Sequence, residues 1–272
     1  KRLLKAGDSH YKAYVGPPDR YDFMGATQFR LLTALGLRAN HKLLDFGCGS
    51  LRSGKLFIPY LNKGNYYGQE PNQWLIDDGI KNELGNDLIN IKKPNFSNKD
   101  DFSIGFDEKF HFIVAQSIFS HTNLDLTKKG LKSIFDSLTE TGLAVVTIIE
   151  GSDYVGEDAW VYPGCTTYST TTIEAIFAEI ECEWRRLYWF HPAQTWYVLA
   201  REKTALPSKE DVLMLLGGEE IGSQQYDKQD FISNRIFSLS KKSPRKSEVE
   251  PGSKVELAET LVSVSNKLKQ KK

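Results

Sequence analysis

Leu43-Leu44-Asp45-Phe46-Gly47-Cys48-Gly49-Ser50 decides how the chain is read. An apolar strand runs into two glycines one residue apart, and an amphipathic stretch through Leu56 to Leu61 follows. A strand that turns sharply into a helix opens a doubly wound sheet, and bare backbone at the turn lets a ligand approach without meeting a Cβ. Outward from it, strand-length apolar runs alternate with helical ones from about His41 to Arg201, the pattern of a mostly parallel sheet with helices on both faces. Tyr66 to Glu70 reads as the second strand and Trp74 to Leu84 as the helix behind it. Phe110 to Ala115 is continuously apolar, as a strand covered on both faces requires. Leu126 to Leu138 reads as a helix stopped by Gly142, Leu143 to Ile149 as a strand, and Thr172 to Ile180 as a helix. Glu183 to Phe190 and Thr195 to Arg201 lie so close in sequence that they should pair as an antiparallel hairpin at one sheet edge.

With 272 residues, 40% of them hydrophobic and 26% charged, the chain can bury a large core and is neither collagen-like nor wholly disordered. Thirty-five basic residues balance 35 acidic ones, so no overall field recruits nucleic acid or an anionic membrane. No run reaches the roughly 20 apolar residues of a membrane span, and Lys1 to Lys5 holds no signal-peptide core. The expectation is a soluble, cytoplasmic protein; the start at Lys1 rather than Met permits excision from a longer chain. Cys48, Cys165 and Cys182 lack CxxC spacing, so neither a disulfide framework nor a metal site is expected.

The expected organisation is an N-terminal helical segment or lid (1–40), the α/β core (41–203), a C-terminal helical extension (204–240), and a basic linker with a short amphipathic helix (241–272). In the extension, Ser208 and Asp211 resemble a capping box before Val212 to Leu216, with Gly217 as the stop. In the tail, Leu257, Leu261, Val264 and Leu268 share one helix face. Nothing in the sequence sets the oligomeric state.

Glu70 ends the second strand about 20 residues beyond the turn, where a carboxylate can receive both hydroxyls of a ribose. The pair points to an adenosine-containing ligand. A dinucleotide fingerprint wants Gly or Ala three residues after Gly49, to seat a pyrophosphate on the helix; Arg52 stands there. A ligand without phosphate, S-adenosyl-L-methionine, fits better. Leu43 to Gly54 (LLDFGCGSLRSG), Tyr66 to Asn72 (YYGQEPN), Phe112 to His121 (FIVAQSIFSH) and the last hairpin resemble class I S-adenosylmethionine-dependent methyltransferases, closest to a bacterial small-molecule branch. That resemblance covers roughly residues 14–201. It implies a Rossmann-like, three-layer αβα fold with a seven-stranded sheet whose last strand is antiparallel.

The resemblance also implies that Asp45, Gly47 and Gly49 surround the aminoacyl and ribose end of the cofactor and that Glu70 takes the ribose hydroxyls. Leu51 departs from it, standing where many members carry a third glycine. Asp101 and Phe102 fall where the family often holds adenine; an exposed polar loop is the other reading. Gln116 either faces the methionine portion or caps a turn, and Arg20 either meets the ligand carboxylate or pairs with Asp19 or Asp22.

Methyl transfer to a hydroxyl benefits from a base, and histidine suits that role near neutral pH. His121, at the mouth of the central strand, is the first candidate and His191, in the hairpin link, the second. The other reading of His121 is a loop histidine bonded to a backbone carbonyl or capping the next helix. Glu150 to Pro163 is a long loop carrying Tyr154, Trp160 and Tyr162, read as an aromatic substrate wall or as a strap over the sheet. O-methylation of a small-molecule acceptor is the leading expectation. A catalytically silent cofactor-binding or interaction module and a nicotinamide-dependent oxidoreductase are the alternatives. Ala115-Gln116-Ser117 stands where a nucleic-acid amino-methylating enzyme would carry an Asn/Asp-Pro-Pro-Tyr motif.

Overall fold

The computed structural model describes residues 4–156 and 158–217. The tail expectations beyond residue 217 therefore lie outside the described residues. The chain divides into two compact units, Lys1–Pro207 and Ser208–Lys272.

In the first unit seven strands form one sheet: β1 (Leu43–Phe46), β2 (Tyr66–Gln69), β3 (Asn95–Ser97), β4 (Phe110–Ala115), β5 (Leu138–Ile148), β6 (Glu183–Leu187) and β7 (Thr195–Ala200). Their order is β3-β2-β1-β4-β5-β7-β6. The first five are parallel, and β7 enters antiparallel between β5 and β6. This is the Rossmann-like sheet with an antiparallel last strand that the sequence leads one to expect. From β1 the chain steps outward through β2 to β3, then returns to β4 on the other side. Right-handed crossovers put the helices of the two halves on opposite faces, and the order reverses between β1 and β4. Ligands of such sheets bind beyond the carboxyl ends of those two strands.

Every residue of β1 and β2 is buried, and β4 is buried apart from His111, as a doubly covered centre demands. On one face of the sheet Phe46, Ile113, Ala115, Val146 and Ile148 pack with Leu131, Ile134 and Phe135 of α6 (Leu124–Asp136) and Ile173, Ile176 and Phe177 of α7 (Thr170–Glu179). Asn123 caps α6 by accepting the Leu126 N–H, and Ser169 caps α7 by accepting the Thr172 N–H.

Gly142 does not stop a helix. Helix α6 ends at Asp136, and Gly142 lies inside β5, where the pairing with β4 slips between Phe110↔Leu138 and Phe112↔Leu143. A Cβ on Gly142 would sit 2.7 Å from the Phe110 carbonyl oxygen, so the glycine serves a close backbone approach.

The N-terminal segment folds as α1 (Tyr11–Tyr14) and α2 (Tyr21–Ala34), the latter burying Tyr21, Met24, Gly25, Gln28, Leu31 and Leu32 along one face. Helix α3 (Gly54–Tyr60) follows the glycine turn. Helix α4 (Gln73–Gly79) continues into a π-helical turn, Ile80–Leu84, before α5 (Asn86–Lys92), which the sequence reading does not contain. In the second unit Ser208 and Asp211 exchange hydrogen bonds as a capping box, Asp211 N–H to Ser208 Oγ at 3.1 Å and Ser208 N–H to Asp211 Oδ2 at 3.2 Å, ahead of α8 (Lys209–Gly217).

Candidate active site

Gly47 and Gly49 have φ of +76° and +52°, which only glycine adopts freely. Leu51, where the family pattern expects a third glycine, takes φ +60° with its side chain buried. The turn keeps a glycine-like shape at a cost of about 1–2 kcal/mol. Phe102 and Ser117, at φ +63° and +61°, place the same left-handed strain in the loops after β3 and β4. Three strained positions thus lie in the loops that leave the carboxyl ends of β1, β3 and β4, and such strain is found at functional sites. A Cβ on Gly47 would meet Ile118 Cδ1 at 2.1 Å, and one on Gly49 would meet Val15 Cγ1 at 2.7 Å. The space a Cβ would take at the two glycines is filled by the side chains of Ile118 and Val15.

Glu70 is 7% exposed. Its Oε2 accepts the Gly49 N–H at 3.2 Å, and its Oε1 accepts both the Asn72 N–H and the Asn72 Nδ2–H at 2.9 Å. Burial raises its pKa against the pull of those bonds. An ionised carboxylate offers about four acceptor positions, so one on Oε2 is free for a ligand hydroxyl, and a second hydroxyl must compete with Asn72. Asn72 lies within the quoted motif, yet sequence reasoning gave it no role.

Asp45 is buried beneath the turn, its Oδ2 accepting from Ser53 Oγ at 3.0 Å and from Tyr66 OH at 2.9 Å. Desolvation carries its pKa up to about 6. These bonds tie β1, β2 and the start of α3 together, so Asp45 braces the turn from below.

Arg20 is exposed at the start of α2. Its neighbour Asp22 pairs with Lys55. The arginine that reaches the turn is Arg52, whose Nη1 donates to the Val15 carbonyl at 2.8 Å. Its position after Gly49 was read only as excluding a pyrophosphate. Asp101 is exposed, its Oδ1 accepting from Ser103 N and Oγ at 3.0 and 2.6 Å, bonds that hold its carboxyl below the usual range. Phe102 is half-buried, its ring edge-on to Phe46 at 5.8 Å and tilted against Trp160 at 6.2 Å.

His121 and His191 differ in the nitrogen each leaves free. His121 Nδ1 lies 2.6 Å from the Gly164 carbonyl, which can only accept, so Nδ1 carries the proton and Nε2 keeps a lone pair. The carbonyl-bonded histidine and the base are therefore compatible. Burial lowers the His121 pKa against that bond, so the ring stays neutral over more of the pH range. His191 Nδ1 instead accepts the main-chain N–H groups of Ala193 and Gln194 at 3.2 and 3.0 Å. Burial, and then the Arg52 charge, take its pKa down to about 4. Its Nδ1 lone pair is engaged by two main-chain donors, so of the two histidines His121 is the one with a ring nitrogen lone pair left for a base. His191 Nε2 lies 3.3 Å from Nε2 of Gln116, a side chain that is 7% exposed.

A series of aromatic rings runs from Trp74 to His121. Trp74 meets Tyr14 at 5.2 Å, Tyr14 meets Tyr162 at 5.3 Å, and Tyr162 lies edge-on to His121 at 5.0 Å. Trp160 lies 5.7 Å from His121 and stacks on Tyr162 at 6.3 Å. Tyr162 OH also donates to the Tyr14 carbonyl. The Glu150–Pro163 loop thus brings Trp160 and Tyr162 to His121, whereas Tyr154 is 65% exposed.

No known family model matches the chain, and no curated protein matches its sequence. Solved structures match its fold. The glycopeptide N-methyltransferase MtfA in complex with (S)-adenosyl-L-methionine superposes with TM-score 0.51 at 8% identity, over 65% of this chain and 94% of that one. Magnesium protoporphyrin IX methyltransferase (ChlM) from Synechocystis PCC 6803 with bound SAH gives 0.50 at 11% identity, over 67% and 86%. A putative O-methyltransferase from Nostoc punctiforme PCC 73102 gives 0.50 at 13% identity, over 66% and 59%. The protein has the fold of the S-adenosylmethionine-dependent methyltransferases.

Proposed function

We propose that the protein is an S-adenosylmethionine-dependent methyltransferase acting on a small molecule, with a hydroxyl oxygen as the methyl acceptor. The observation that carries this reading is the bond from Gly49 N–H to Glu70 at the carboxyl ends of β1 and β2. It joins the glycine turn to a carboxylate that can grip a ribose, with Arg52 where a pyrophosphate fingerprint would need Gly or Ala. S-Adenosylmethionine, when bound, supplies an electrophilic methyl on a sulfonium. The glycine turn and Glu70 would hold the nucleoside, and Phe102 would supply an apolar surface for the adenine. His121 Nε2 would accept the proton of the acceptor hydroxyl, and Nδ1–H on the Gly164 carbonyl keeps the ring oriented. Trp160 and Tyr162 exclude water beside His121 and suit a planar or partly apolar acceptor. Incubating the protein with methyl-labelled cofactor and a panel of phenols, carboxylic acids and amines tests the assignment. Label appearing in a phenol ether supports it, label confined to amines overturns the oxygen assignment, and no transfer to any class contradicts the enzyme reading.

A further inference from the structure

Only one tautomer of His191 satisfies its neighbours. The Ala193 and Gln194 N–H groups both donate to Nδ1, so that nitrogen keeps its lone pair and the ring proton sits on Nε2. That N–H faces the Gln116 carboxamide nitrogen at 3.3 Å, and two donors do not bond each other. In the same arrangement Gln116 Oε1 is buried with no hydrogen-bond partner. Turning the carboxamide through 180° exchanges two atoms of nearly equal size and answers both mismatches. Oε1 then accepts from His191 Nε2–H, and the amide NH2 becomes a buried donor without a protein partner. Burying it is costly unless a ligand supplies an acceptor. Arg52 is the cation whose charge bears on His191, with Asp45 acting on it in turn, and a ligand carboxylate is an acceptor that would satisfy the buried NH2.

We propose that His191 is a positioning residue, a fixed neutral Nε2–H donor that holds Gln116 with its NH2 turned to the carboxylate of the bound ligand's aminoacyl end. This deepens the methyltransferase reading and rests on it, but part of it is testable without any ligand. Nitrogen-15 spectra of the full, ligand-free chain should show His191 as the Nε2–H tautomer from pH 8 down to pH 5. An Nδ1–H tautomer, or an imidazolium in that range, overturns the proposal.

Two substitutions divide the functions of the ring. His191→Asn keeps an acceptor for the Ala193 and Gln194 N–H groups but has no Nε2–H, whereas His191→Gln keeps an N–H near Nε2. By calorimetry, His191→Asn and Gln116→Leu should each weaken S-adenosylhomocysteine binding about tenfold. The double variant should lose little beyond either single one. Methylthioadenosine, which lacks the aminoacyl group, should bind all three as it binds the unaltered chain, and His191→Gln should recover most of the S-adenosylhomocysteine affinity. Unaltered S-adenosylhomocysteine affinity in His191→Asn, or equal loss for both ligands, overturns the inference alone. Failure of the unaltered chain to bind S-adenosylhomocysteine overturns the methyltransferase reading with it.

Discussion

Replacing Glu70 by alanine removes the carboxylate that receives the Gly49 N–H and both Asn72 donors. Cofactor affinity should fall by about 1.5–3 kcal/mol, the range for hydrogen bonds to a charged group. Calorimetry with S-adenosylhomocysteine reads this directly, and unchanged affinity removes Glu70 from the site. His121→Ala should lower kcat by roughly 10²–10⁴ while leaving S-adenosylhomocysteine affinity nearly intact. Because burial lowers the His121 pKa, methyl transfer by the unaltered protein should begin to fall only below the ordinary histidine range as pH drops. A variant with full turnover would make His121 structural. Asp45 acts on stability. Its carboxyl titrates near 3.8 in the unfolded chain and at about 6 in the fold, a difference of about 3 kcal/mol. The folded state binds the proton more tightly, so this contribution is fully present below pH 3.8 and is lost as pH rises through about 6. Asp45→Asn keeps an acceptor for Ser53 and Tyr66 while abolishing the titration. Its unfolding free energy should vary less between pH 4 and pH 6 than that of the unaltered protein, and parallel urea-denaturation profiles would contradict the assignment.

At the scale of elements, the N-terminal helices clamp the glycine turn. Tyr21 OH of α2 donates to the Ser50 carbonyl at 2.8 Å. Glu83, in the π-helical turn, accepts Tyr11 OH at 2.9 Å and pairs with Lys12 at 3.0 Å and Lys55 at 2.8 Å. Burial alone would raise the Glu83 pKa, but the bonds from Lys55 and Lys12 outweigh it and hold the carboxyl down. The backbones approach closely at Gly25, where a Cβ would lie 2.4 Å from the Arg52 carbonyl oxygen. Gly25→Ala must push α2 off the turn, costing about 1–3 kcal/mol of stability. It should also weaken S-adenosylhomocysteine binding, because Arg52 and Val15 move with the helix. A variant with both quantities unchanged would show that α2 does not brace the turn. None of this was legible in the sequence. The pattern shows that α2 buries a face, but not that the face lies against the residue after Ser50–Leu51.

Across the described residues, β1, β4, β5 and β7 were readable as apolar runs bounded by turn residues, whereas β3 (Asn95–Ser97) and β6 (Glu183–Leu187) are largely polar and carry no such signal of their own. Strand order was readable only through the resemblance, since pairing is a long-range property. Gly142 was misread because a glycine after a helical run looks the same whether it caps the helix or lets β5 approach β4. Of the site, Gly47, Gly49 and Glu70 were legible from spacing along consecutive elements. The roles of Asn72, Arg52 and the His191–Gln116 pair were not, because they depend on which atom faces which. Among the described residues no helix is long and apolar enough to cross a membrane.

The central claim is that this turn and carboxylate take a sulfonium-bearing nucleoside. Titrating the full chain with S-adenosylhomocysteine and, separately, with NAD in one calorimetric experiment tests it most directly. The account predicts saturable heat at one equivalent from the first and none from the second; heat from NAD alone would contradict it.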